Sequence, residues 1–383
     1  MKIIYTFLVR LCSLLFIWQK KSQISYLMSF GNNQDFVRQL AKQVNPRTLH
    51  VYYQKEVSQS IVPLKNVANI RFSVLDNGPQ LFLKVIPGLM RSKLIVIDNY
   101  FPFLGSLSKT KNIRISQIWH ANGAIKEFGF NDPMTSQRTA SDQIRFQRVY
   151  NAMDDIVVGS EKMADTFQLN YRLNGEQIRR LGYPRSDKFL NEKWIHKVQA
   201  TFFENYPELK NKHLILYAPT YRKDSQFAFA PDFKNLQLPK NTILILRLHP
   251  HLQAMEKSWE ERMPFITSID AKITTDELLT VVETLITDYS SILFDYTLLK
   301  NARKIGLFTF DQLEFSKTVG LRSDFSTEFQ SIVIKDVNQL TDFLAKSDNN
   351  QAMIEKLNYD WNQFNDGAAT KRTINFLLKR SDL

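Results

Sequence analysis

"LITDYSSILFDY", residues Leu285 to Tyr296, decides how the rest of the chain is read. A β-prone apolar run ends in Asp288-Tyr289-Ser290-Ser291, and an apolar run of helical character begins at once. Two readings fit such a junction. A helix start carries unpaired N–H donors and the positive end of the dipole, so it suits a phosphate, and the hydroxyls of Ser290 and Ser291 add donors. Alternatively, Asp288 or Ser290 caps the helix and no ligand is involved. Asp288 cannot face a phosphate favourably. It orients a neighbour or accepts a hydrogen bond from a ligand hydroxyl.

The same style, a short apolar run followed by a polar helical stretch, recurs on both sides of this segment. Strand-like runs fall at 24–30, 49–54, 93–100, 113–120, 154–160 and 178–184, and again at 213–221, 242–250, 280–291 and 303–310. Continuous apolar strands with helices between them imply parallel sheets covered on both faces. The fold class is therefore α/β, with residues 22–195 and 196–383 as two Rossmann-like domains facing one another. The polar helical stretch 191–211 forms the junction, and the helices after Leu340 are candidates to cross back. In sheets of this kind ligands collect outside the carboxyl ends of the strands.

Four strand ends carry polar clusters, which points to one cleft. "WHANG" presents His120, a candidate general base because imidazole titrates near neutral pH. It is followed by Asn122 and Gly123, where backbone can approach a ligand closely, and by Lys126, which can meet a charged group. "APTYR" offers Thr220 and Arg222 as donors. "LRLHPH" offers Arg247 and His249, which alternate with leucines and share a face, and both donate to oxyanions. Pro250 ends that strand and His251 lies on the surface. Asp288, Ser290 and Ser291 complete the set. A structural histidine at a strand end and a solvated arginine after a turn are the plain alternatives.

The bulk numbers favour an anionic partner. Lys and Arg total 50 against 38 Asp and Glu, a net charge of +12, while 44% hydrophobic and 23% charged residues suit packed globular domains. Cys12 is the one cysteine, so no internal disulfide forms and paired metal-ligand spacings are absent. There is no P-loop, no GxGxxG, no GxSxG and no basic, aromatic-interleaved stretch of the kind that binds nucleic acid. No cofactor and no metal are called for.

The first 21 residues stand apart. The apolar run 3–18 is interrupted by Arg10 and flanked by Lys2, Lys20 and Lys21. It is short for a spanning helix, which needs roughly 20 apolar residues. A cleavage site after Trp18 is lacking. A buried first helix is one reading. The favoured one is a helix in the membrane interface, with Phe7, Leu11, Leu14, Leu15 and Trp18 toward lipid and Lys20 and Lys21 toward anionic headgroups.

Six motifs in order, "IWHANGAIKEFG", "VVGSEKM", "GYPRSDKF", "LYAPTYR", "LRLHPH" and "LITDYSSILFDY", span about residues 118–296. Together they resemble the CDP-glycerol glycerophosphotransferase family of teichoic acid synthesis. The resemblance implies a GT-B-like fold with an interdomain cleft, peripheral attachment to the cytoplasmic face of the cell membrane, and CDP-glycerol as donor. It puts the catalytic base on His120, the donor-phosphate histidine on His249 and the phosphate-binding serines on Ser290 and Ser291. Asp288 and Arg222 fall inside matching motifs. The modest length and the form of "WHANGAIKEFG" resemble the priming branch, which adds glycerol phosphate to a lipid-linked disaccharide. The alternatives are a glycerol- or ribitol-phosphate polymerase, a nucleotide-sugar glycosyltransferase, and a scaffold that keeps only the fold.

Overall fold

The computed structural model of the protein describes residues 2–46, 48–220, 222 and 229–381; the side chains of Pro250 and His251 also lie outside the description. Tyr221 of the "APTYR" motif and the surface reading of His251 therefore lie outside the described residues. Among the described residues, thirteen strands form two sheets. The first unit contains β1 (Gln23–Met28), β2 (Leu49–Tyr53), β3 (Ile70–Val74), β4 (Ser92–Ile97), β5 (Arg114–Gln117), β6 (Asp155–Val158) and β7 (Ile178–Arg180). They run in the order β3-β2-β1-β4-β5-β6-β7, all parallel, so the winding reverses between β1 and β4.

The second unit contains β8 (His213–Tyr217), β9 (Thr242–Leu246), β10 (Ile266–Ser268), β11 (Thr284–Thr287), β12 (Lys304–Phe308) and β13 (Val333–Ile334). Their order is β10-β9-β8-β11-β12-β13, again parallel, with the reversal between β8 and β11. These are two doubly wound α/β units, as the apolar runs led us to expect. The sequence reading missed β3, β10 and β13. All three are edge strands. β3 has no fully buried residue and carries Arg71, and β10 and β13 are three and two residues long, so none makes a long apolar run.

The units are not cut at 195/196. The first consists of Met1–Ala121, Gly129–Asp187 and Gln363–Leu383, and the second of Asn122–Phe128 and Lys188–Asn362. Packing supplies the reason. Ile374 and Leu377 of the last helix (Ala369–Arg380) are fully buried in the first unit's core, with Ile24, Tyr26, Val51 and Phe36. The Asp187 carboxylate accepts from the N–H groups of Ala369 and Thr370 at 3.0 and 2.8 Å, capping that helix. The 122–128 segment pairs instead inside the second unit: Lys126 bridges antiparallel to Leu321, and Arg322 N–H donates to the Ile125 carbonyl at 3.0 Å. The second core gathers Ile215, Tyr217, Leu246, Ile286, Phe308 and Leu340.

Helix α1 (Lys2–Leu15) lies on the first unit with Val9 and Ser13 inward. It stops six residues short of Lys21. Ser13 Oγ accepts from Ser108 N–H at 2.9 Å, and Cys12 Sγ donates to the Phe82 carbonyl at 3.3 Å. The opposite side is apolar and open: Phe7 is 62%, Leu15 72% and Trp18 93% exposed, with Ile3, Ile4, Leu8, Leu11 and Leu14 beside them. Among the described residues, no helix is long and apolar enough to cross a membrane.

Candidate active site

In the first unit, three neighbouring strands end around His120. The chain leaving β1 supplies Ser29 to Asn33, β4 supplies Asp98, and β5 leads into Trp119 and His120. The Asp98 carboxylate is fully buried. It accepts from Ser29 N–H at 3.0 and 3.1 Å, from the Ser29 hydroxyl at 3.0 Å and from Phe30 N–H at 3.1 Å. Burial pushes its pKa up to about 7, against those donors, which favour the charged form. The Asp98 backbone carbonyl sits 2.7 Å from His120 Nδ1. A carbonyl can only accept, so Nδ1 carries the hydrogen and Nε2 of the neutral ring carries the lone pair.

The ring is held from other sides too. Phe30 stacks on it with centroids 3.8 Å apart. Asn32 Nδ2 donates to the His120 carbonyl at 2.6 Å, and Asn33 Nδ2 donates to the Trp119 carbonyl at 2.9 Å. Trp119 has φ +59°, a left-handed conformation that costs a bulky residue about 1–3 kcal/mol. The two asparagines and an edge-on contact with Phe167 at 5.0 Å hold it there. Strain maintained this way beside a histidine is characteristic of working sites.

In the second unit, the tips of the neighbouring strands β8, β11 and β12 are tied together by Arg222. Its guanidinium meets Asp311 in a two-pronged pair at 2.8 and 3.0 Å, approaches Asp288 Oδ2 at 2.9 Å, and donates to the Thr220 carbonyl at 2.6 Å. Asp288 Oδ1 accepts from the N–H groups of Thr220 at 2.8 Å and Tyr289 at 2.6 Å. Tyr289 donates to Asp311 at 3.0 Å and stacks on Phe315 at 3.9 Å. So Asp288 orients neighbours, one of the two roles open to it. Arg222, expected to bind a ligand, is committed instead to bracing three loops. Thr220 Oγ1 is buried with no hydrogen-bond partner among the described residues.

This brace bears on the opening junction. The helix after it is Ile292–Tyr296, five residues, so it supplies only a small dipole. Asp288 faces the other loops rather than the helix. Ser291 stands at the N-cap without a side-chain cap bond, and Ser290 Oγ meets Ile292 N–H only at a long 3.4 Å. Capping therefore accounts poorly for the two serines, both of which are partly exposed.

The remaining candidates divide. His249 is exposed, three residues beyond β9. Arg247 is not beside it on an open face. It is 2% exposed, donates to the carbonyls of Ile269 and Asp270 at 3.1 and 3.3 Å, and lies 3.7 Å from Glu256. The expectation of direct donor contact is corrected: Arg247 fixes the floor under the His249 tip, and Glu256 also accepts from Leu248 N–H at 2.7 Å. Gly123 serves packing, since a Cβ there would lie 2.3 Å from the Phe294 ring. Asn122 is fully buried. Lys126, expected to meet a charged group, lies in the second unit within the field of Asp288 and Arg222; burial lowers its pKa and Asp288 opposes that.

Sequence reasoning overlooked Asp98, Phe30 and Asp311. Asp98 and Asp311 each follow an apolar strand, so the strand-end rule applied evenly would have found both. The stacking of Phe30 on His120 left no signal in the sequence. Among the described residues, no group of three or more His, Cys, Asp or Glu side chains could hold a metal ion.

Comparison with known proteins places these features in a wider set. The family model described as CDP-glycerol:poly(glycerophosphate) glycerophosphotransferase matches residues 18–379. A teichoic acid glycerol-phosphate primase of Bacillus spizizenii is 30% identical, over 99% of this chain and 98% of its own. Among solved structures, the wall teichoic acid polymerase TagF superposes with a TM-score of 0.70 at 20% identity, covering 99% of this chain and 94% of that one. A UDP co-structure of S. aureus MnaA gives a TM-score of 0.60 at 8% identity, covering 94% and 97%. At these identities the two structures speak to the fold, and they fit an α/β architecture of GT-B-like kind.

Proposed function

The chain belongs to the CDP-glycerol:poly(glycerophosphate) glycerophosphotransferase family, and from that premise we propose that it is a priming enzyme. It transfers glycerol phosphate from CDP-glycerol to a lipid-linked disaccharide on undecaprenyl diphosphate and releases CMP. The near-complete mutual coverage with a primase supports the priming branch. The observation that carries the chemistry is the bond from His120 Nδ1 to the Asp98 carbonyl, which leaves Nε2 as the basic nitrogen.

In the proposed step, Nε2 of His120 takes the proton of an acceptor sugar hydroxyl. That oxygen attacks the β-phosphorus of CDP-glycerol in line. The bond from the β-phosphorus to the bridging oxygen breaks, and CMP departs with that oxygen and the electron pair. The imidazolium then returns its proton to water. His249, Ser290, Ser291 and Thr220 Oγ1 donate to the diphosphate oxygens, while Arg222 and Arg247 hold the loops that present them. Positioning and fixed donors carry most of phosphoryl transfer, which suits a site built from braced loops.

We place the enzyme peripherally on the cytoplasmic face of the cell membrane, through the apolar side of α1. A second feature supports this reading. Lys20 and Lys21 line a cavity of about 770 Å³ together with Lys93, Lys111, Arg114 and Arg380, just beyond exposed Trp18. Clustered cations beside an apolar helix suit anionic headgroups.

The test is a panel of CDP-glycerol, CDP-ribitol and nucleotide sugars, with CMP or nucleotide release as readout. We expect turnover of CDP-glycerol alone. His120→Ala should lower kcat at least about 10²-fold, the low end for loss of a general base. Equal turnover of a nucleotide sugar would refute the donor, and a near wild-type rate in the variant would remove His120 from its role.

A further inference from the structure

A second cavity, of about 490 Å³, opens in the first unit where α1 begins. That is within the roughly 300–1,000 Å³ of small-ligand pockets. Its walls come from the start of α1, from the chain following β3 and β4, and from helix Ala140–Ala152 and the residues before it. Asn77 and Tyr100 lie just past the carboxyl ends of β3 and β4, the same sheet edge that carries His120. The link is close in the chain: Asp98, whose carbonyl holds His120, stands two residues before Tyr100.

The lining is strongly basic. Lys2, Arg138, Arg145 and Arg148 all face the cavity. One carboxylate, Asp142, answers them: it accepts from Lys2 Nζ at 2.7 Å and pairs with Arg145. Through Asp142, the Lys2 ammonium also ties the start of α1 to helix Ala140–Ala152. Arg138 and Arg148 are exposed at the rim. Tyr5, Tyr100 and Phe146 add an aromatic stretch of wall. Tyr5 packs edge-on to Phe82, and Tyr100 edge-on to Phe146 at 6.0 Å. From this mouth the open apolar side of α1 runs away through Ile3, Phe7 and Leu11.

Arginines read phosphate through paired N–H groups, aromatic walls pack against the apolar faces of a sugar, and an apolar stripe leads off for a hydrocarbon chain. We propose that this pocket receives the diphosphate of a polyprenyl-linked saccharide, and so forms the acceptor site at the edge of the sheet that bears His120. The proposal rests on the function put forward above and adds to it the residues that recognise the acceptor. Arg138 and Arg148 reach the phosphates from the rim. Arg145, part-buried, and Lys2, exposed, are both partly neutralised by Asp142 and add further positive charge.

The test uses the double variant Arg138→Ala/Arg148→Ala, which alters two exposed side chains, with Arg148→Glu as a second variant. Binding of a water-soluble, short-chain prenyl diphosphate disaccharide is measured by calorimetry, in parallel with sedimentation of the protein with phosphatidylglycerol vesicles lacking any acceptor. We expect at least a ten-fold weaker Kd for the diphosphate in both variants, vesicle binding within two-fold, and, in the transfer assay, a raised acceptor KM with the CDP-glycerol KM unmoved. Unchanged diphosphate binding overturns the proposal, as does a loss confined to the vesicles, which would make the ligand a bulk lipid headgroup. The calorimetric arm requires no turnover. Wild-type binding of the diphosphate without use of CDP-glycerol would sink the proposed function and leave the pocket standing.

Discussion

At the residue scale, the surroundings of His120 fit the base role proposed for it. A backbone carbonyl sets its tautomer, Phe30 covers one face, and two asparagines hold the strained Trp119–His120 backbone. Behind that arrangement stands Asp98, which anchors the Ser29–Phe30 turn. Its pKa is raised from 3.8 to about 7, chiefly by burial. Between about pH 4 and 7 the folded protein keeps a proton that the unfolded chain has released. The contribution of Asp98 to stability therefore falls as pH rises through that window, by at most roughly 1.4 kcal/mol per pH unit, and is level above it. Asp98→Asn cannot ionise, so the gap in Tm between wild type and variant should be smaller at pH 7.5 than at pH 4.5. A gap that does not vary with pH contradicts this. Arg247 shows where reading single residues stopped. Alternation puts Arg247 and His249 on one face, but it does not say whether that face is covered. Glu256, from the following helix, covers the first, and the chain has left the sheet by the second.

At the element scale, central strands were legible because burial on both faces leaves continuous apolar runs, as in β1, β4 and β12. Strand ends were read one to four residues too long, because the polar loop tips that carry the candidates continue the strand without a break. The helix after Ser291 looked long enough to act as a dipole and is five residues long. Helix α1 was legible as an amphipathic segment, and its outward residues are those expected to face lipid. That face gives a quantitative expectation. Burying one such side chain contributes about 1.5–3 kcal/mol, so Phe7→Glu/Leu11→Glu/Trp18→Glu should reduce partition into phosphatidylglycerol vesicles by more than about ten-fold. Since all three side chains are exposed, Tm should hold. Unchanged vesicle binding in cosedimentation would contradict the proposed attachment through this face.

At the scale of the whole molecule, two doubly wound units were legible from the alternation of runs, and their borders were not. The last helix joins the first unit because Ile374 and Leu377 complete its core, a contact between residues more than 300 apart that no local pattern records. The 122–128 segment joins the second through contacts likewise distant in sequence, among them the antiparallel bridge of Lys126 to Leu321 and the bond from Arg322 N–H to the Ile125 carbonyl. The ordered motifs nonetheless carried the family, because they lie at strand ends, where the fold keeps its chemistry. The central claim is transfer of glycerol phosphate to a lipid-linked acceptor with His120 as base. The most direct measurement mixes the protein with CDP-glycerol and a synthetic lipid-linked disaccharide, then follows the acceptor by mass spectrometry alongside released CMP. The account predicts one added glycerol phosphate per acceptor, matched by one CMP, and almost none with His120→Ala. A ladder of added units would contradict the priming role, and an unmodified acceptor with no CMP would contradict the account as a whole.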